Sequence, residues 1–320
     1  MFFFLLAFNT TGQENLILNG DFEEYWTCPD NLSQIERCKN VYNPITNNPP
    51  FFVSTPDYFN SCDLSSNNVS IPTNALGFQE AESGSGYLGF FMYKTLNSYY
   101  HEYIQLELST SLIESMTYKF SIYVNVSNNY EYITNNIQFK FVEDNISYNV
   151  FLNEIMNADY KNTTIIDDSL AWTKLEFEYL AEGGEKFLII GNFDNPINTS
   201  YIFLYDLIGI NNGESTYLYF DNASLVEIDI PIQYPNVFTP NGDSVNDYFS
   251  ILQGEEQVDE LYILNRWGNV VYESESNFNW DGKDKNGNEL TEGVYFVKVL
   301  PKYYQEEKKE QYHGIVHLIR

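Results

Sequence analysis

Met116-Thr117-Tyr118-Lys119-Phe120-Ser121-Ile122-Tyr123-Val124-Asn125-Val126 alternates apolar and polar residues with a period near two. That period places successive side chains on opposite faces of a sheet. Residues 137–141, 175–179 and 100–108 alternate in the same way. Stretches of Asn, Ser, Asp and Gly separate these runs, and no helical period is sustained. Repeated short strands punctuated by turns predict an all-β protein, built as a sandwich or jelly roll.

The length of 320 residues suggests one large or two ordinary domains. Aromatic residues make up 17% of the chain, mostly Tyr and Phe, and flat rings favour a pleated, half-buried surface. The net charge of −29 repels phosphate backbones and anionic membrane surfaces, so no nucleic-acid partner is expected. The acids are spread along the chain, which reads first as solubility. The sharper reading is that some carboxylates hold calcium, a cation available outside cells.

Met1-Phe2-Phe3-Phe4-Leu5-Leu6-Ala7-Phe8 is too short to span a bilayer. Residues 1–14 read as the remnant of a secretory signal. No later segment has the length of a transmembrane helix, so the chain is not expected to be an integral membrane protein. Cys28, Cys38 and Cys62 form no CxxC pair, which leaves zinc and thioredoxin-like chemistry unsupported. A secreted chain with three cysteines suggests one disulfide and one leftover thiol.

The best boundary is Asp229-Ile230-Pro231-Ile232-Gln233-Tyr234-Pro235, where two prolines flank an extended stretch suited to a stiff linker. The expected organisation is a domain over 15–228, a linker over 229–234 and a second domain over 235–320.

Beyond the linker lie Phe238-Thr239-Pro240-Asn241-Gly242-Asp243 with Val245-Asn246-Asp247, then Asn265-Arg266-Trp267-Gly268 with Val270-Val271-Tyr272. Trp280-Asp281-Gly282-Lys283 and Gly293-Val294-Tyr295-Phe296 follow. Physically these are a strand with an Asn-Gly turn, a hairpin, and a turn leading into a final strand pair. Together and in order they resemble the gliding-motility-associated C-terminal domain (type B type IX secretion sorting domain) of Bacteroidetes. Ser244 stands where that family usually has Gly. The resemblance implies an Ig-like β-sandwich, export by the type IX secretion machinery, and a secreted or outer-surface location. Trp267 and Trp280 read as core or hairpin-packing aromatics. Asn241, Asp243 and Asp247 crowd one loop, where Asx turns explain them as well as calcium does.

The N-terminal domain opens on Asn15-Leu16-Ile17-Leu18-Asn19-Gly20-Asp21-Phe22-Glu23 and closes on Tyr217-Leu218-Tyr219-Phe220-Asp221-Asn222. These ends resemble the galactose-binding-like jelly roll of many carbohydrate-binding modules. The resemblance implies that first and last strands meet. It also implies that Glu23 and Asp221 hold a structural Ca²⁺, with a polysaccharide or surface glycan as ligand. It further implies a Cys28–Cys62 disulfide with Cys38 left as a thiol, Cys28–Cys38 being the alternative. Sugar rings stack on flat π-systems, so Trp26, Tyr58, Phe59, Tyr99 and Tyr100 are the candidate ligand-binding aromatics, expected in exposed loops. Each has core packing as its plain alternative. Trp172 begins an alternating strand and reads as core.

Other apparent motifs carry little. Gly84-Ser85-Gly86-Tyr87-Leu88-Gly89 spells GxGxxG, but the chain runs on as a strand rather than the helix a dinucleotide site needs. His313 and His317 fall four apart on a strand pattern, so they form no helical zinc face. A chain with 45 acids always supplies a carboxylate pair, so glycosidase chemistry gains nothing from one. The expected function is therefore a non-catalytic, secreted glycan-binding or adhesive surface protein. A secreted glycoside hydrolase or lyase on a jelly roll is one alternative. A purely structural surface component is another.

Overall fold

The computed structural model describes residues 14–45, 54–62, 68–94, 101–150, 152–195, 199–204, 214–228, 231–302 and 312–320. The chain divides into two compact units, the bulk of the first preceding Ile228 and the second comprising mainly Ile228–Arg320. Both are all-β. Among the described residues, helix is confined to three-residue 3-10 turns such as Ile35–Arg37 and Glu255–Gln257.

In the first unit the strands run β1 (Val41–Tyr42), β2 (Asp57–Asn60), β3 (Thr73–Asn74), β4 (Gly77–Phe78), β5 (Gly86–Lys94), β6 (Tyr103–Glu107) and β7 (Thr117–Val126). They continue as β8 (Tyr132–Ile133), β9 (Gln138–Val142), β10 (Tyr160–Lys161), β11 (Thr173–Leu180), β12 (Phe187–Gly191), β13 (Ile202–Phe203) and β14 (Ser215–Ile228). Two five-stranded sheets form, ordered β1-β6-β12-β9-β10 and β11-β7-β14-β5-β2. This is the jelly-roll sandwich. The alternation in β7 resolves as expected. Tyr118, Phe120, Ile122 and Val124 are buried, while Lys119, Ser121 and Tyr123 are half-buried. Aromatic rings knit the two sheets, with Phe139 of β9 lying 5.1 Å from Phe120 of β7 and 5.0 Å from Phe177 of β11.

The chain ends meet. Leu16 donates its N–H to the Leu225 carbonyl at 2.8 Å, and Ala223 donates to Gly20 at 2.7 Å. Asn15 ties both strands by donating to the Ala223 carbonyl and accepting from Leu225. A Cβ at Gly20 would sit 2.1 Å from the Ala223 oxygen, so only glycine permits this approach.

The second sheet is buried on both faces along β5 and β2. Phe59, Tyr87, Phe91, Tyr217 and Tyr219 form an aromatic cluster with Val69 and Tyr130, with Leu32, Leu76 and Trp172 packed against it. Hence β5 is apolar without alternation and buried through eight of its nine residues. Tyr58 and Phe59 therefore do not stand in exposed loops. Both are fully buried in β2, Tyr58 donating to the Phe22 carbonyl at 2.8 Å and Phe59 lying 5.2 Å from Tyr87. They leave the list of sugar-contacting aromatics because chain distant in sequence covers both their faces. Trp172 is partly buried and donates its indole N–H to the Glu80 carbonyl.

The second unit carries β15 (Val237–Phe238), β16 (Val258–Leu264), β17 (Val270–Ser274), β18 (Gly293–Pro301) and β19 (Tyr312–Leu318), in the order β15-β19-β18-β16-β17. Facing the sheet are segments joined by the bridges Gln233–Gln253 and Phe249–Trp280, which complete a sandwich. The core between them holds Phe238, Phe249, Leu261, Ile263, Trp280, Tyr295, Val297, Val316 and Leu318. Trp280 is wholly buried, as its sequence context implied. Trp267 is not a core residue. It is 75% exposed at the β16–β17 hairpin, its ring lying 5.2 Å from the Arg266 guanidinium carbon. The turn Asn265–Asn269 is closed by Asn265 accepting the Trp267 and Asn269 N–H groups, so the indole has no packing role in it.

Candidate functional site

The segment after the first strand contact holds the candidate site. Tyr25 bridges Cys38, Trp26 donates its N–H to the Arg37 carbonyl at 2.8 Å, and Lys39 donates to the Glu24 carbonyl. The Cys28–Cys62 disulfide fastens this segment to the end of β2, and Cys38 is the free, buried thiol. Burial pushes the Cys38 thiol well above its ordinary value, so it stays protonated and inert. Between the fastened pieces lies a groove of about 340 Å³, lined by Glu23, Tyr25, Asn60, Ser61, Cys62 and Ser85. One residue along from Tyr25, Trp26 is 73% exposed, with the Lys39 ammonium 5.2 Å from its ring. A bare indole, a second aromatic, hydroxyls, an amide and a carboxylate are the groups that recognise polar ligands with apolar faces. Tyr99 and Tyr100 lie outside the described residues, as do residues 1–13 of the signal remnant.

Glu23 and Asp221 both act on the turn before β5, but not around a shared cation. Asp221 accepts the N–H groups of Glu82 (2.8 Å) and Ser83 (3.2 Å) on one oxygen and of Asn222 (2.7 Å) on the other. Glu23 accepts those of Ser85 (2.6 Å) and Gly86 (2.8 Å). Gly84, at φ +63°, leaves room for the Glu23 carboxylate, which a Cβ there would meet at 2.3 Å. On Asp221 the amides thus take up both carboxylate oxygens. Among the described residues no group of three or more His, Cys, Asp or Glu is placed to hold a metal. The donors thus do not fit the expected calcium site, and the two acids clamp the turn directly.

Sequence reasoning missed a second acidic cluster. Glu102, fully buried, accepts the N–H and hydroxyl of Thr55 (2.7 and 2.8 Å) and the N–H of Phe91 (2.8 Å). Asp57, also buried, accepts the Tyr217 hydroxyl and the Ser33 N–H, each at 2.6 Å. A Cβ at Gly89 would come within 2.5 Å of the Tyr217 hydroxyl, so glycine keeps that route open. The Lys94 ammonium lies 4.1 Å from the Phe91 ring and acts electrostatically on both acids. Nothing in the sequence separates these acids from the surface ones, because the residues that cover them are remote.

Burial, reinforced by the Glu102 charge, lifts Asp57 to about 7 against the lowering effect of Tyr217, Ser33 and Lys94. Burial also lifts Asp221 to about 7 and raises Glu102. An unfolded Asp titrates near 3.9, so between about pH 4 and 7 the folded state binds more protons than the unfolded one. Stability then falls as pH rises through that window. His101 opposes this. Burial lowers it to about 4, so it costs stability on acidification below roughly 6.5. Three acids outweigh one histidine. The melting temperature is expected to decline from pH 5 to 7 and to level off above the folded-state value near 7, and Asp57→Asn to flatten the decline. A melting temperature that rises over that range would refute this account.

Residues 232–318 match the CHU_C type IX secretion signal domain family. The C-terminal unit is thus a type IX secretion signal, and it marks the chain for export. Among solved structures, the adhesin domain of Epf from Streptococcus pyogenes aligns with 96% of this chain and 97% of its own, at 10% identity and a TM-score of 0.32. The K1 cleaved adhesin domain of Lys-gingipain from Porphyromonas gingivalis W83 aligns over 60% of this chain and 92% of its own, at 10% identity and 0.32. TmCBM61 in complex with β-1,4-galactotriose aligns over 67% and 99%, at 11% identity and 0.28. No curated protein matches the chain. Among the described residues, no helix is long and apolar enough to cross a membrane.

Proposed function

We propose that this chain is a secreted, non-catalytic glycan-binding or adhesive protein of the outer cell surface. Its C-terminal unit directs export and its N-terminal jelly roll binds the ligand. The observation that carries the reading is the exposed indole of Trp26, beside a polar groove fastened by a disulfide. Leaving a Trp bare in water is unfavourable unless its face is used, and stacking of sugar C–H groups is a use that fits.

The test is titration of the purified full chain against a panel of polysaccharides. Trp26→Ala should weaken binding at least tenfold, since anchoring aromatics in binding sites are worth about 2 kcal/mol or more. Its melting temperature should not change, because the indole buries little. Undiminished binding by this variant would remove Trp26 from the site. Release of reducing sugar by the wild-type protein would overturn the non-catalytic reading.

A further inference from the structure

The outer face of the C-terminal sheet is apolar in a protein whose surface is otherwise acidic. Strand register sets its side chains in four rows. Val237, His317 and Val294 lie directly opposite one another across β15, β19 and β18. Ile315, Phe296, Leu264 and Val270 form the next row, across β19, β18, β16 and β17. His313, Lys298, Tyr262 and Glu273 form the third, and Leu300 and Glu260, opposite one another across β18 and β16, form the fourth. Directly opposed residues share a face. Phe296 is 47% exposed and Ile315 45% exposed, with Val237 and Val294 close behind.

The sequence holds 45 acids against 16 bases, and the carboxylates of these rows stand at one side, Glu273 paired with Lys285 at 3.2 Å and Glu260 accepting the Tyr262 hydroxyl. The two rows that hold Val237, Val294, Ile315 and Phe296 carry none. Lys298 shares its row with Glu273 and lies 5.5 Å above the Tyr262 ring. The apolar row ends at Leu264 and Val270, and the hairpin between them carries Arg266 and the exposed Trp267. Trp and Arg are the residues most enriched among interface anchors, and interface centres are depleted of charge. A contiguous apolar patch with a polar rim marks a protein-binding surface.

We propose that this face, with Trp267 at its end, is the surface through which the secretion machinery reads the domain. The occupant is a protein of that machinery offering an apolar patch edged by carboxylates. Two observations select it. The unit is a secretion signal, so some protein must recognise it in folded form. Arg266, beside the exposed Trp267, calls for an acidic complement. A second copy of this chain is disfavoured because two copies each carrying −29 repel.

The test uses the full chain expressed in a type IX-competent host, with surface delivery and periplasmic retention measured together. Trp267→Ala and the double variant Phe296→Ser, Ile315→Ser should each lower delivery at least fivefold, with protein accumulating in the periplasm. Arg266→Glu should do the same. Leu252→Ser, which removes an apolar side chain 69% exposed and off this face, should be delivered like wild type. Melting of the purified variants separates recognition from unfolding. Should the double variant melt early, Trp267→Ala decides, since its indole packs against no core. Wild-type delivery of Trp267→Ala overturns the proposal, as does an equal loss for Leu252→Ser. Sedimentation showing a dimer that Phe296→Ser abolishes would assign the face to a second copy instead.

Discussion

Trp280→Ala is expected to abolish folding of the C-terminal unit and, with it, export of the whole chain. The indole is fully buried, 5.1 Å from the Phe238 ring and 5.2 Å from the Tyr295 ring, and its N–H donates to the Lys283 carbonyl at 2.8 Å. It joins the sheet to the facing layer, where Phe249 and Trp280 exchange backbone hydrogen bonds at 2.9 Å. Truncating a buried Trp to Ala costs about 3–5 kcal/mol. A small domain has only about 5–15 kcal/mol in total, and a unit this size sits near the lower end. Trp267→Ala, by contrast, should change stability by less than about 0.5 kcal/mol, as surface substitutions do. Calorimetry of the full chain checks both. The Trp280 variant should lose the unfolding transition of the C-terminal unit, while the Trp267 variant keeps it. Equal melting curves for the two variants would contradict the burial described here.

The strands were legible because their pattern is local. Met116–Val126 carries its own period, and the structure places β7 over Thr117–Val126 with the expected residues inside. The C-terminal unit was legible because turn chemistry, such as Asn-Gly and Trp-Gly, sits at fixed offsets from apolar runs. What failed were statements about exposure. Tyr58 and Phe59 follow a proline-rich stretch and look like loop aromatics, yet Val69, Leu76 and Tyr87 come over Phe59, and Phe22 and Tyr25 over Tyr58, from elsewhere in the chain. Trp267 looks like core because Trp usually is, but its hairpin closes through the Asn265 side chain. Asp57 and Glu102 look like two of 45 solubilising acids. Only the folded chain shows that their partners are Tyr217, Ser33, Thr55 and Phe91. The acids at the jelly-roll ends were found at the right place, but with the wrong partner: the turn's own amides occupy them. The disulfide could not be read from spacing, and it was the resemblance that singled out Cys28–Cys62.

That disulfide should matter for stability and for the site together. Cys28 and Cys62 are separated by 34 residues, and closing a loop of that length removes denatured-state entropy worth about 4 kcal/mol in the chain-entropy model. The double change Cys28→Ser, Cys62→Ser should therefore lower the melting temperature by roughly 10 °C, at about 2–4 °C per kcal/mol for a domain of this size. Reductant should produce the same fall in the wild type and none in the variant. Cys38 offers no substitute partner, being buried with its sulfur accepting from Asn19 at 3.4 Å. The functional effect follows from where the bond lies. Cys62 lines the groove, and Arg37 donates to the Cys28 carbonyl, two residues from Trp26. Releasing the bond frees the segment bearing Trp26 from the strand end bearing Asn60 and Ser61. Binding should then weaken beyond what the lost stability explains, because a ligand must reorder both pieces before it can contact them. Measured below the lowered melting temperature, where the variant is still folded, affinity should fall several-fold. An unchanged affinity there would mean that the groove and the indole do not act as one site.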